Sequence, residues 1–237
     1  MKRFLYAIIC IVLLSASCSD VIDLTGRDGK VEVPKDGFSG ISVQDGFELY
    51  LIGGNTSTVV IESDENVINH NYVKSEVKNG ILYFYRDPEV EYPDGVSVKI
   101  HVSKDSLDAL TIISSKVQID DTLRTNEIRL FCSDKSVLTG RLECKKLQST
   151  INSSAVEITG ISDTMQMNIG GGSSVKLYGM ESNDAGISIS GGSYAEVAVN
   201  GELEVKAKEK SILYYKGTAV IRTQALDDGS EIKKITE

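Results

Sequence analysis

A short strand-and-turn unit recurs in about seven loose copies along residues 107–232, and it limits what this chain can fold into more than any other feature. Each copy has a strand-like stretch, a Ser/Gly turn, an aliphatic residue and, in most copies, a closing Gly. The turns read Ser114-Ser115, Ser133-Asp134-Lys135-Ser136, Asn152-Ser153-Ser154, Gly172-Ser173-Ser174, Gly192-Ser193, Lys210-Ser211 and Gly229-Ser230. Taking the aliphatic residue after each turn as a register mark gives Val117, Val137, Val156, Val175, Val197, Ile212 and Ile232, at steps of 20, 19, 19, 22, 15 and 20. A unit this short cannot bury a core of its own, so such units stack on their neighbours as a solenoid.

Inward positions line up between copies. Ile128, Leu130 and Cys132 match Leu147, Ser149 and Ile151, then Met165, Met167 and Ile169, then Ala185, Ile187 and Ile189, then Leu203, Val205 and Ala207. Val156/Ile158, Val175/Leu177 and Val197/Val199 form a second inward strip, and polar residues such as Arg129, Gln148, Gln166, Ser188 and Glu204 alternate outward. Stacking these at the strand spacing of ~4.8 Å gives continuous apolar ladders. Left-handed hexapeptide helices need steps of six, which the sequence lacks, and the uneven period suits a right-handed coil. The expected fold is therefore all-β, a single-stranded right-handed parallel β-helix-like solenoid with an N-terminal β-strand-rich portion. In that portion Val73–Val77, Asn79-Gly80 and Ile81–Tyr85 read as a hairpin with an Asn-Gly turn. Only Asp64–Asn71 reads as a helical turn.

The chain opens with Lys2-Arg3, an apolar run from Phe4 to Leu14, and Ser15-Ala16-Ser17-Cys18. The run is shorter than the ~20 residues of a membrane span and has the plan of a signal peptide. Cys18 after three small residues resembles a bacterial lipobox, with Ser15 where an aliphatic residue is usual. That resemblance implies a diacylglycerol on the Cys18 sulfur and a membrane partner through the lipid anchor. Without residues 1–17 the formal charge is −11, which argues against nucleic acid and against electrostatic docking on anionic lipid. Cys132 falls on an inward position as a buried thiol, and its pairing with Cys144 is left open by the sequence.

Gly37-Phe38-Ser39-Gly40-Ile41-Ser42-Val43, Gly46-Phe47-Glu48-Leu49, Val60-Ile61-Glu62-Ser63-Asp64-Glu65-Asn66-Val67 and Val77-Lys78-Asn79-Gly80-Ile81-Leu82 occur in that order ahead of the Ser/Gly repeats. This string resembles the autotransporter adhesin head domain family, called the GIN domain, over residues 37–217 or beyond. The resemblance implies a right-handed β-helix-like fold, an adhesive role and no known catalytic residues. The charged turns at Asp134-Lys135 and Glu209-Lys210 depart from the family's Gly and Ser. The chain then divides into a signal peptide (1–17), a lipidated Cys18 with a tether ending in a short strand (18–36), an N-terminal β region (37–105) and the repeats (106–237).

A polysaccharide-processing enzyme is the third and least favoured role, because catalysis finds little support. His70 and His101 are the two histidines, and no Gly-x-Ser-x-Gly elbow surrounds a serine. Asp120-Asp121 and Asp227-Asp228 read as loop punctuation. Gly170-Gly171-Gly172 and Gly191-Gly192 lack the following helix of a phosphate loop and the regular Asp of calcium repeats, so they read as tight corners. No cofactor and no metal are expected. Tyr178, Tyr194 and Tyr215 are the candidate ligand-binding residues, for a glycan or a protein, with Tyr214 expected to fill the core. An alternative role is an envelope scaffold stacking through its ends, with Ile232–Glu237 too short and charged to extend the stack.

Overall fold

The structure, a computed structural model, describes residues 20–54 and 57–236. The signal peptide and Cys18 lie outside the described residues. The N-terminal part comprises β1 (Asp20–Val21), β2 (Asp28–Pro34), β3 (Gly40–Val43), β4 (Glu48–Ile52), β5 (Thr58–Asp64), α1 (Glu65–Asn69), β6 (Val73–Lys78), β7 (Ile81–Arg86), β8 (Val90–Glu91) and β9 (Lys99–Ser103). The repeats supply β10 (Ala109–Ile113), β11 (Lys116–Ser133), β12 (Val137–Asn152), β13 (Ala155–Gly170), β14 (Ser174–Ile189), β15 (Tyr194–Val199), β16 (Glu202–Ala207), β17 (Ile212–Lys216), β18 (Val220–Leu226) and β19 (Glu231–Lys234). Together they coil into a parallel β-solenoid of about seven turns.

Two long faces run the length of the coil. The first stacks β9, β4, the opening parts of β11 to β14, then β15, β17 and β19. The second stacks β7, β3, β10, the closing parts of β11 to β14, then β16 and β18. The chain does not build them in order. It lays down β3 and β4 first, then returns to form β7 and β9 beneath them, so both parts of the chain share one sheet. At that end β5 pairs antiparallel with β9, β2 with β5, and β6 with β7. Antiparallel strands there cover edges that would otherwise be open to another chain. The hairpin turn falls on Asn79 and Gly80, both at positive φ, as the Asn-Gly pair predicts.

The second-face ladders match the sequence reading residue for residue, from Ile128, Leu130 and Cys132 through to Leu203, Val205 and Ala207. The first face does not. Its ladder runs Leu49, Val117, Leu138, Val156, Val175, Ala195, Leu213, Ile232, so Val137, Val197 and Ile212 are not the register marks. The steps from Val117 become 21, 18, 19, 20, 18 and 19, and the 22-and-15 irregularity disappears. From Val117 on, each mark lies two residues after a buried turn serine: Ser115, Ser136, Ser154, Ser173, Ser193, Ser211 and Ser230. These serines form a ladder of their own inside the corner. Ser115, Ser154, Ser173 and Ser211 donate their backbone N–H to the hydroxyls of Ser136, Ser173, Ser193 and Ser230. Ser136, Ser173, Ser193 and Ser211 donate those hydroxyls to the carbonyl three residues back. A corner that leaves the sheet pattern thus keeps most of its buried polar groups paired, the Ser115 hydroxyl being the exception.

Cys132 and Cys144 are buried and unpaired with each other. They belong to different ladders, Cys132 stacked on Ile151 and Cys144 on Ser162. Burial pushes the two thiols up to about 12 and about 11. β19 also departs from expectation. It pairs with β17 and adds a level to the stack, because ladder pairing uses the backbone and Ile232 keeps the inward parity.

Residues 20–36, read as a tether with a short strand at its end, carry that strand and more. β1 pairs with β8, Ile22 is buried, and β2 runs seven residues along β5. Asp64 holds this arm down. Its carboxylate accepts from Thr25 N (3.2 Å), Thr25 Oγ1 (3.1 Å), Gly26 N (2.8 Å) and, as the cap of α1, Asn66 N (2.9 Å). Desolvation opposes the charge, but the hydrogen bonds from Asn66, Thr25 and Gly26 outweigh it and hold the carboxyl below its ordinary range. A depressed folded pKa means the contribution is complete above the unfolded value of ~4 and is lost as pH falls through the lower folded value. Relative to an unstructured chain at the same pH, hydrogen exchange at the wild-type Thr25 and Gly26 amides is therefore expected to accelerate only below pH ~4. Asp64→Asn keeps one acceptor and should accelerate it at neutral pH by about tenfold, the worth of one hydrogen bond to a charged group. Equal protection in the two proteins at neutral pH would remove Asp64 from this role.

Candidate functional site

The outward residues of β14, β15, β17 and β19 converge on one aromatic patch near the C-terminal end of the first face. Residues one and three after each buried serine point outward. Tyr194 is the first after Ser193, and Tyr214 the third after Ser211. Tyr178 sits beside them, where the first part of β14 reaches its corner. All three are half-exposed. The Tyr194 and Tyr214 ring centroids are 5.6 Å apart with planes at 49°.

Tyr215, the third residue expected to contact a ligand, is buried, and Tyr214 takes the outward place. The physical reason is parity. Tyr215 lies two residues beyond the inward Leu213, so alternation sends it into the core. Sequence reasoning missed Tyr214, along with the charges that frame it. The signal that finds them is the offset from Ser211 rather than from Ile212.

Across the stack, Lys176, Glu196, Tyr214 and Lys233 occupy successive levels of one outward column. Tyr194 donates its hydroxyl to Glu196. Lys216 Nζ lies 5.6 Å from the Tyr178 ring centroid and Lys233 Nζ 5.8 Å from that of Tyr214. The bond to Glu196, with burial behind it, pushes the Tyr194 phenol up. Burial, then the charge of Glu196, raises Tyr178. These phenols stay protonated at neutral pH and serve as hydrogen-bond donors. The patch offers ring faces with ammonium and carboxylate groups between them, the makings of a contact surface.

The residues weighed for catalysis do not assemble. His70 stacks on Tyr72, with Nδ1 2.9 Å from the Asn66 carbonyl. His101 stacks on Tyr50, with Nε2 3.5 Å from Glu62 but outside hydrogen-bond geometry. Among the described residues neither histidine bonds a serine. Asp120 accepts from Gln118, and Asp227 and Asp228 form the last turn. Among the described residues no group of three or more His, Cys, Asp or Glu could hold a metal ion, and no helix is long and apolar enough to cross a membrane.

The family described as "Putative auto-transporter adhesin, head GIN domain" matches residues 37–219. Among solved structures, a "putative adhesin" of Bacteroides fragilis is similar over 90% of this chain and 100% of its own, at 15% identity and a TM-score of 0.80. A "putative adhesin" of Parabacteroides distasonis matches 91% of this chain and 100% of its own at 17% identity and a TM-score of 0.76. A "putative lipid binding protein" of the same organism matches 92% and 100% at 17% identity and a TM-score of 0.69. At these identities the likeness is one of fold. None of the curated proteins matches this sequence.

Proposed function

The chain belongs to the auto-transporter adhesin head GIN domain family, and from that premise we propose that it is a non-enzymatic binding protein of the cell envelope, anchored by a lipid on Cys18. The family match over residues 37–219 carries this reading. The lipobox-like Ser15-Ala16-Ser17-Cys18 supplies the anchor, and the Tyr178–Tyr194–Tyr214 patch supplies a contact surface. Inward ladders fill the coil with side chains, which favours binding through outward faces over uptake of an acyl chain. Many copies on one membrane convert weak single contacts into firm attachment.

The docked arm bears on how the protein is presented. Cys18 precedes the paired Asp20 by two residues, a span of at most ~7 Å, so a lipid on Cys18 holds the N-terminal cap close to the bilayer and the tyrosine patch at the far end. The test is proteinase K on intact cells, with a periplasmic protein as control. Digestion of this chain with the control intact is expected, as is its release from membranes by Cys18→Ala. Protection until the outer membrane is broken would overturn surface display, and membrane retention of the Cys18→Ala protein would overturn the anchor.

A further inference from the structure

A second outward surface, on the other long face, has a different chemistry. Arg129, Gln148 and Gln166 form one column of successive levels, and Phe131, Thr150 and Asn168 form the next. The grid measures ~6.6 Å along the strand and ~4.8 Å per level. It lines much of a shallow groove of about 580 Å³. Phe131 is 41% exposed on a strand whose parity points it at solvent, which leaves a ring face open on the grid. The carboxamides of Gln148, Gln166 and Asn168 make no side-chain hydrogen bond among the described residues, so their donors and acceptors are unspent. A Cβ at Gly186 would lie 2.5 Å from Gln166 Oε1, so the glycine leaves room for that amide to lie across the next level.

Charge separates this groove from the tyrosine patch. No carboxylate lines it, and its one cation, Arg129, also borders an adjoining groove with Asp108 and Glu127. The chain as a whole is acidic, at −9. A polyanion is disfavoured by that charge, and a polycation finds no carboxylate here. An exposed ring beside three free amides and a hydroxyl suits a ligand with apolar ring faces and rings of neutral hydroxyls, each able to pair with the donor and acceptor of one amide.

We propose that the Phe131–Gln148–Gln166–Asn168 face binds an uncharged glycan, the sugar ring lying on Phe131 and its hydroxyls paired with the amides. The proposal stands apart from the tyrosine patch and the lipid anchor, so it holds whichever way the protease experiment falls. The test presents the full mature chain to an array of neutral and acidic glycans, followed by titration of the best neutral glycan. Binding should persist as added salt shortens the Debye length from ~30 to ~3 Å, because no ion pair holds the ligand. Phe131→Ala and the double variant Gln148→Ala/Gln166→Ala should each weaken it by about tenfold or more, the size of an interface hot spot. Tyr194→Ala should leave it unchanged. All of these side chains point outward, so an unaltered melting temperature shows that the variants fold. Binding confined to acidic glycans, binding of a neutral glycan that survives Phe131→Ala, or no neutral glycan bound at all would each overturn the assignment.

Discussion

Gly160→Ala is expected to cost more than ~4 kcal/mol, a large part of the ~5–15 kcal/mol that holds a typical domain folded. Gly160 closes a corner of β13 at φ +130°, where a side chain is strained whatever the space around it. The space is also taken. An added Cβ would sit 1.9 Å from the carbonyl oxygen of Leu142 and 2.8 Å from its carbon. Those are backbone atoms of the adjacent level, which pairs with β13 on both sides of the corner. A flexible side chain could swing away, but a paired backbone cannot move without breaking its own ladder. At ~2–4 °C per kcal/mol for a chain of this size, the melting temperature should fall by roughly 10 °C or more, read by circular dichroism. Gly192→Ala is the control. Gly192 lies at φ +66°, and an added Cβ there meets nothing within 4 Å. That change carries only the left-handed backbone penalty of about 1 kcal/mol. Similar melting of the two variants would show that the corner yields and that the close approach costs little.

The corners also explain how much of the fold was legible. The second-face ladders were read correctly because β11 to β14 keep an unbroken alternation there, with Met165, Met167 and Ile169 opposite Ala185, Ile187 and Ile189. The first face follows the turn, and the turns differ in length. Ser114 and Ser153 are single left-handed residues, whereas Asp134-Lys135, Gly171-Gly172, Gly191-Gly192 and Glu209-Lys210 come in pairs. The nearest aliphatic residue is therefore an unsafe mark. Val137 and Ile212 directly follow the buried serine and face outward, and Val197 lies four beyond it. The same slip exchanged Tyr214 with Tyr215. The return of β7 and β9 beneath β3 and β4 was not legible, since no local pattern states which strand pairs with which. Nor was the docking of residues 20–34, which depends on Asp64, some 40 residues away.

The serine that keeps the register also carries a measurable load. Ser173 is 1% exposed, and its hydroxyl and backbone N–H together link three levels. It donates to the Gly170 carbonyl at 2.5 Å and accepts from the Ser154 N–H of the level before at 3.3 Å. The Ser173 N–H in turn donates to Ser193 Oγ of the level after, at 3.1 Å. Ser173→Val removes the hydroxyl, leaves the Ser154 N–H buried without that acceptor, and puts a second methyl into a filled column. An unsatisfied buried donor costs ~1–3 kcal/mol and overpacking about as much again, so a loss of ~2–6 kcal/mol is expected. Ser188→Val makes the same change on the outward side of β14, where the valine gains strand propensity, and should stay within ~0.5 kcal/mol of wild type. Pairing Ser173→Val with Ser193→Val tests the ladder itself. If the hydroxyls act as one chain, the double variant loses less than the sum of the singles, because the first change already disturbs the bond that the second removes. Strict additivity in denaturant melts would reduce the ladder to seven separate turns, and its register role would then rest on geometry alone.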